Sequence, residues 1–105
     1  MERRELLQAV LLKEASAENK IQRALHQAQM NRQGFIYGSR QHRARTPNLR
    51  VVEIEFEKQG LTPLFVFYDG RFLCYDNRRK TFVVYNVEDR ERGESSPDIY
   101  QLLRK

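Results

Sequence analysis

"PLFVFYDGRFLCYDNRRKTFVVYNV", residues 63–87, consists of three apolar runs separated by two polar turns. Asp69 and Gly70 suit the positive backbone angles of a two-residue hairpin turn, and the aromatic and β-branched runs around them are typical of strands. The polar stretch DNRRK, residues 76–80, supplies the second turn. This stretch therefore predicts three consecutive antiparallel strands, the centre of a β-meander.

A two-residue loop fixes the register of the first hairpin, with Phe67 opposite Phe72 and Phe65 opposite Cys74. Paired residues point to the same side of a sheet. One predicted face, which we expect to be the core, carries Phe65, Phe67, Phe72, Cys74, Phe82 and Val84. The other carries Leu64, Val66, Tyr68, Arg71, Leu73, Tyr75, Thr81, Val83 and Tyr85. This second face is too apolar for open solvent, and we expect a C-terminal helix, a second subunit or a ligand that stacks on its rings to cover it.

The segments on either side of the meander predict helices at both ends of the chain and two further strands. Residues 2–32 lack Gly and Pro and are rich in helix-forming residues, which predicts either a helix broken near residues 15–17 or one long overhanging helix. GFIYG, residues 34–38, and the alternating LRVVEIEFEKQG, residues 49–60, are predicted strands, the second with Val52, Ile54 and Phe56 inward. EDRERGESSP, residues 88–97, is predicted to be a polar connector before a short final helix.

Together these patterns predict a single α+β domain over residues 1–105. Its N-terminal helical segment, residues 1–33, packs on one face of a three- to five-stranded antiparallel sheet. The sheet occupies residues 34–88 and includes a basic loop at 38–50, and residues 89–105 form the connector and the short C-terminal helix. A chain of this length buries roughly two thirds of its unfolded surface, enough for one core without disulfides.

The cysteine, histidine and glycine content predicts the cellular compartment of the protein and whether it holds a metal or a cofactor. Cys74 is the single cysteine, and no Cys/His group has zinc spacing, so we expect a reducing compartment, the cytoplasm, and no metal. The five glycines are scattered and form no phosphate-binding loop, so we expect no cofactor. The apolar residues near the N-terminus are interrupted by Gln8, Lys13 and Glu14, and we expect neither a signal peptide nor a membrane span.

Positive charge is concentrated in one region of the chain. No acidic residue lies between Asn19 and Val52, and all 14 acidic residues fall outside this segment. The same segment contains seven cations, Lys20, Arg23, Arg32, Arg40, Arg43, Arg45 and Arg50. Arginine is well suited to forked phosphate contacts, so the region predicts a polyanionic partner. Simple surface solvation, or an acidic protein partner, would also account for this charge.

The rings of the second face and the basic segment together predict a nucleic-acid site. Sheets that present rings between basic ends stack single-stranded bases, at roughly 1–3 kcal/mol per stacked base. We therefore predict a non-catalytic protein that binds single-stranded nucleic acid, RNA in preference to DNA. Its predicted binding residues are Lys20, Arg23, Arg40, Arg43, Arg45, Arg50, Tyr68, Arg71, Tyr75 and Tyr85.

Two other functions fit the same residues. In the first, the protein is a homodimeric interaction module whose second face packs against a second copy, without nucleic acid. In the second, it is a metal-free ribonuclease in which arginines stabilise phosphate charge and a tyrosine or histidine transfers protons. The residues for this are His42, Arg43, Arg45, Tyr68 and Arg71.

Overall fold

The strands and helices are those of a computed structural model, which describes residues 15–45 and 49–103. Its elements are helix α1 (Ala15–Met30), strand β1 (Gly34–Ile36), helices α2 (Arg40–Arg45) and α3 (Leu49–Gln59), strands β2 (Leu61–Phe67), β3 (Phe72–Asp76), β4 (Thr81–Asn86) and β5 (Glu91–Ser96), and helix α4 (Ile99–Leu103). The strands form one antiparallel sheet in the order β1-β2-β3-β4-β5. The predicted α+β class with an antiparallel meander and a short C-terminal helix is confirmed. The helix break predicted near residues 15–17 involves residues before Ala15, which lie outside the described part.

Residues 49–59 form a helix, so the strand predicted there is wrong. Val52 and Phe56 are four residues apart and lie on the inner side of α3, whereas Ile54 is 45% exposed. The segment contains good helix formers and no Gly or Pro before Gly60, whose φ of 71° and N–H bond to the Glu57 carbonyl (3.1 Å) end the helix. The alternation suggested a strand because Val52 and Phe56, four residues apart, fit both the two-residue period of a strand and the 3.6-residue period of a helix.

The β2–β3 hairpin has a three-residue loop, one residue longer than predicted. The Gly70 N–H donates to the Phe67 carbonyl (2.9 Å), and the Phe67 N–H donates to the Arg71 carbonyl (2.8 Å). Gly70 adopts a φ of 94°, the left-handed conformation that the last residue of such a loop requires. The extra loop residue shifts the register by one, so that Phe65 pairs with Leu73 rather than with Cys74.

A one-residue shift moves the side chains of β3 to the opposite faces of the sheet. Leu73 and Tyr75 lie on the face covered by α1 and α4, which we call the α1 face. Phe72 and Cys74 lie with Tyr85 on the face covered by α3, which we call the α3 face. The predicted composition of both faces is therefore wrong for β3, and no face carries Tyr75 and Tyr85 together. It is also wrong for Leu64, which is at the register shift between Pro63 and Phe65 and lies in the core of the α1 face rather than on the second face.

The chain itself covers both faces of the sheet. Helices α1 and α4 pack on the α1 face through buried Ile21, Ala24, Leu25, Ala28, Ile99, Leu102 and Leu103. Phe56 and Val52 of α3 pack on the α3 face together with Tyr37. The apolar second face inferred from the sequence therefore has an intramolecular cover, which is α3 rather than the C-terminal helix.

The segment predicted as a polar connector contains strand β5. It pairs with β4 at the sheet edge, and the first five of its six residues are exposed. Because both faces of β5 are solvated, its sequence shows no alternation of apolar and polar residues. A bulge between Val83 and Tyr85 interrupts the pairing of β4 with β5. A bulged, charged edge of this kind discourages pairing with other chains.

Gly70→Ala should destabilise the protein by roughly 1–2 kcal/mol, the typical cost of left-handed backbone for a residue with a side chain. An added Cβ at Gly70 would meet no atom within 4 Å, so the cost is conformational rather than steric. Urea unfolding of the variant and the parent measures it. An unchanged free energy of unfolding would contradict the three-residue loop.

Candidate functional site

Two aromatic rings and an arginine meet at the end of β1, beside the tip of the β2–β3 hairpin. The rings of Phe35 and Tyr68 are in edge contact, with centroids 5.0 Å apart and planes at 73°. The Arg45 guanidinium carbon lies 5.5 Å from the Phe35 ring centroid. Tyr68 is 51% exposed, which leaves much of its surface open to a ligand. We call Phe35, Tyr68 and Arg45 the Arg45 cluster.

Pairing between β1 and β2 brings the two rings of this cluster together. Phe35 lies opposite Val66, and Tyr68 follows Val66 by two residues, so both rings project to the same side. The Tyr68 N–H donates to the Gln33 carbonyl (3.1 Å), which extends the ladder to the start of the loop. The cluster therefore sits on a fixed backbone rather than on a free loop end.

Helix α2 carries Arg45 of the cluster and two further exposed arginines. Ser39 precedes the helix, and its Oγ accepts the His42 N–H (3.3 Å), as expected of an N-cap residue. Arg40, Arg43 and Arg45 are all exposed. No ion pair joins any of them to a carboxylate within the described residues. Their charges are available to an external anion.

His42 anchors α2 to the sheet. It is 1% exposed, and its ring centroid lies 4.8 Å from that of Tyr37 and 6.3 Å from that of Phe72. Its Nδ1 accepts the Gly38 N–H (2.9 Å), so the imidazole is neutral with its proton on Nε2. Burial lowers the pKa of His42, and the charge of Arg43 lowers it further. Because the ring is enclosed, the surface proton-transfer role predicted for His42 does not match its position.

The hairpin tip beside the cluster holds a neutralised arginine. Arg71 Nε donates to Asp69 Oδ2 (2.8 Å), and the guanidinium also lies over the Phe67 ring, 5.4 Å from its centroid. Burial opposes ionisation of Asp69, but the backbone and side-chain hydrogen bonds of Arg71 keep the pKa of this carboxyl below its ordinary value. A shallow groove of about 370 Å³ runs past these residues, with Arg32 also in its lining.

Three further predicted binding residues lie on α1 and α3 and make no described contact with the cluster. Lys20 and Arg23 are exposed on α1, across the sheet from the α3 face, and Lys20 Nζ lies 5.9 Å from the Tyr100 ring centroid. Arg50 is exposed in the first turn of α3. The structure thus places Arg45 and Tyr68 in one cluster with Phe35, Arg40 and Arg43 on the same short helix as Arg45, and Arg71 in the hairpin loop that follows Tyr68.

Tyr75 and Tyr85 do not form the shared stacking surface predicted for them. Tyr75 is half-buried on the α1 face, where its ring contacts Phe82 at 5.3 Å. Tyr85 is 1% exposed on the α3 face, under Phe56, with ring centroids 5.7 Å apart. Burial raises the pKa of both phenols. A base could reach Tyr85 only if α3 left the sheet, so the predicted arrangement is wrong.

Phe35 is not among the binding residues predicted from the sequence. Its candidate role depends on the pairing of β1 with β2, which are separated by two helices, and no local pattern predicts that pairing. The available signal was the aromatic content of GFIYG, residues 34–38, immediately before the arginine-rich segment. Such a short strand next to basic residues is a reasonable place to look for an exposed ring.

Comparison with protein-family models, curated proteins and solved structures finds no match to this chain. Within residues 15–45 and 49–103, no helix combines the length and the apolar character that crossing a membrane requires. The same residues contain no group of three or more His, Cys, Asp or Glu side chains able to hold a metal ion.

Proposed function

We propose that this protein binds single-stranded nucleic acid, RNA in preference to DNA, at the Arg45 cluster and along α2. The observation that supports this most directly is the half-exposed ring of Tyr68 in a cluster with Arg45, on whose helix Arg40 and Arg43 are also exposed without described carboxylate partners. The binding is non-catalytic and needs no cofactor. We place it in the cytoplasm, where a lone, buried cysteine such as Cys74 stays reduced.

The two parts of the site act on different parts of the ligand. Arg40, Arg43 and Arg45 attract the phosphates, and a guanidinium can form two parallel hydrogen bonds to one phosphate. A base stacks on the open side of Tyr68, while Phe35 holds the other side of that ring by its edge contact. Within a duplex the base faces are covered by their stacked neighbours, whereas a single strand can present a base to Tyr68, so single strands bind more tightly.

The hairpin tip directs the path of the strand. Asp69 neutralises Arg71 and repels phosphates. The sugar-phosphate backbone of the nucleic acid therefore runs along α2 rather than over the tip of the β2–β3 hairpin. With about three phosphates contacted, the logarithm of affinity should fall with the logarithm of salt concentration with a slope of about −2. The surface is small, so this proposal is for a short site of a few nucleotides.

Arg45→Ala and Tyr68→Ala should each weaken binding of a labelled single-stranded RNA about tenfold, because each removes one contact of the site. Arg45→Ala should also reduce the salt slope by about 0.7, whereas Tyr68→Ala should leave the slope unchanged. Fluorescence anisotropy over a series of salt concentrations measures both quantities. Parallel titrations with single-stranded DNA and with duplex test the two preferences.

Arg23→Ala is the matched control, because it removes the same charge from an exposed position across the sheet from the site. We expect it to change affinity less than twofold. Equal losses for Arg23→Ala and Arg45→Ala would reduce the effect to net charge and contradict a defined site. An absence of binding at low salt, together with a dimeric mass by light scattering, would favour the homodimeric interaction module instead.

A further inference from the structure

We propose that protonation of His42 in mild acid releases α2 from the sheet and thereby switches off the nucleic-acid site. This inference rests on the proposed function for its consequence, since it concerns the regulation of the same site. The release of α2 itself can be observed without any nucleic acid.

Helix α2 has one buried side chain among the described residues, and its other ring contact, Arg45 over Phe35, is made by an exposed residue. His42 is the buried residue of this six-residue helix, and the other five side chains are exposed. A helix of this length has little stability of its own in water. The position of Arg43 and Arg45 therefore depends on the imidazole between Tyr37 and Phe72, and on its bond from the Gly38 N–H.

Protonation removes this attachment for a geometric reason. Nδ1 accepts the Gly38 N–H in the neutral ring, and a proton on Nδ1 would place two donors face to face. Nε2 is buried and has no hydrogen-bond partner among the described residues, so the charged ring gains no acceptor there. The charged group that acts on the imidazole is the Arg43 guanidinium, which repels the positive form, and the ring that packs against it from the end of β1 is that of Tyr37.

The direction of the pH dependence follows from these contacts. Burial, and secondly Arg43, lower the pKa of His42 in the folded state, so the released state binds the proton more readily. The stability that the neutral ring gives to α2 is complete above the ordinary histidine pKa of about 6.5. It is lost as the pH falls from that value toward the lower pKa of the folded state.

In acid, release of α2 and the gain of positive charge have opposite effects on nucleic-acid binding. In acid the protein as a whole gains positive charge, and general electrostatics predicts tighter binding of a polyanion. Release of α2 removes Arg45 from Phe35 and disperses the arginines, so the proposal predicts weaker binding. The sign of the change therefore separates the two explanations.

The experiment uses the full chain and a labelled oligouridylate, whose bases do not titrate between pH 5.5 and 7.5. We expect affinity at constant ionic strength to fall at least fivefold from pH 7.5 to 5.5. His42→Asn retains a side-chain oxygen to accept the Gly38 N–H but does not titrate, and it should remove this loss. His26→Asn, which eliminates the exposed histidine, should behave like the parent protein.

Nuclear magnetic resonance of the unliganded parent provides the independent readout. The Gly38 amide should shift, and the α2 amides should lose protection from hydrogen exchange, with the same midpoint as the His42 ring signals. An unchanged Gly38 amide and α2 protection down to pH 5.5 would overturn the proposal, as would tighter binding in acid. Release of α2 in a protein that binds no oligonucleotide at any pH would support the switch and contradict the proposed function. These resonance measurements on the parent protein also test the release of α2 if His42→Asn fails to fold.

Discussion

Phe56→Ala is expected to lower the free energy of unfolding by about 3–5 kcal/mol, whereas Ile54→Ala should change it by less than about 1 kcal/mol. The difference follows from the helical geometry of α3. Phe56 is 1% exposed and contacts the rings of Phe72 and Tyr85, with centroids at 5.0 and 5.7 Å. Its removal leaves a cavity between α3 and the sheet, while Ile54 lies on the outer surface.

Chemical denaturation of the two variants beside the parent measures this difference. In a strand, Ile54 and Phe56 would point to the same side and would be similarly sensitive to truncation. Comparable losses for the two variants would therefore contradict α3 as a helix. Val51→Ala provides a further control, because Val51 is also exposed on the outer side of α3 and should behave like Ile54.

Residues 49–59 show why alternation alone did not decide between strand and helix. Val52, Ile54 and Phe56 alternate with three glutamates, but two of those three apolar residues also satisfy a spacing of four. The intrinsic preference of Glu, Lys and Gln for helix, and the glycine at position 60, favoured the correct element. Tertiary packing decides between the two elements, because the apolar α3 face of the sheet has to be covered. The local sequence does not show which segment covers it.

The hairpin at Asp69 and Gly70 was predicted correctly as a turn and incorrectly in register. An Asp-Gly pair fits the centre of a two-residue loop and also the last two positions of a three-residue loop. The flanking runs are apolar on both faces, so the hydrophobic pattern could not choose between the two registers. That single residue decided the candidate site, because it placed Tyr75 and Tyr85 on opposite faces.

The arginines of the site and Tyr68 were predictable from the sequence, whereas Phe35 was not. Arg40, Arg43, Arg45 and Tyr68 were identified from charge and residue type, which local sequence displays directly. The contact between Arg45 and Phe35 depends on where α2 packs, and this is determined by His42 beneath it. A histidine without a nearby acid gave no indication in the sequence that it would be an anchor.

Asp76→Asn should destabilise the protein by about 3 kcal/mol, because it breaks an ion pair between a buried carboxylate and a partly exposed arginine that together join three elements. Asp76 Oδ2 accepts Arg92 Nη1 of β5 at 2.6 Å, and Oδ1 accepts the N–H groups of Arg78 and Arg79 in the β3–β4 turn. Arg92 Nη2 also donates to the Gln59 carbonyl at the end of α3 (3.1 Å). The substitution leaves this guanidinium facing an amide, and the loss of one partner of a buried pair costs about 3–5 kcal/mol. The partial exposure of Arg92 places the expected value at the lower end of that range.

Asp69→Asn is the matched control, since Asp69 and Arg71 form a pair of similar length at an exposed site and should contribute less than about 1 kcal/mol. Acid titration separates the two pairs further. Burial opposes ionisation of Asp76, but the hydrogen bonds and the charge of Arg92 hold its pKa below the ordinary value. Its contribution to stability is therefore complete above the ordinary pKa of about 3.9 and is lost as the pH falls below it. In Asp76→Asn this part of the acid destabilisation should be absent, and equal free energies of unfolding for the two variants would show that the pair does not hold β5 and α3 together.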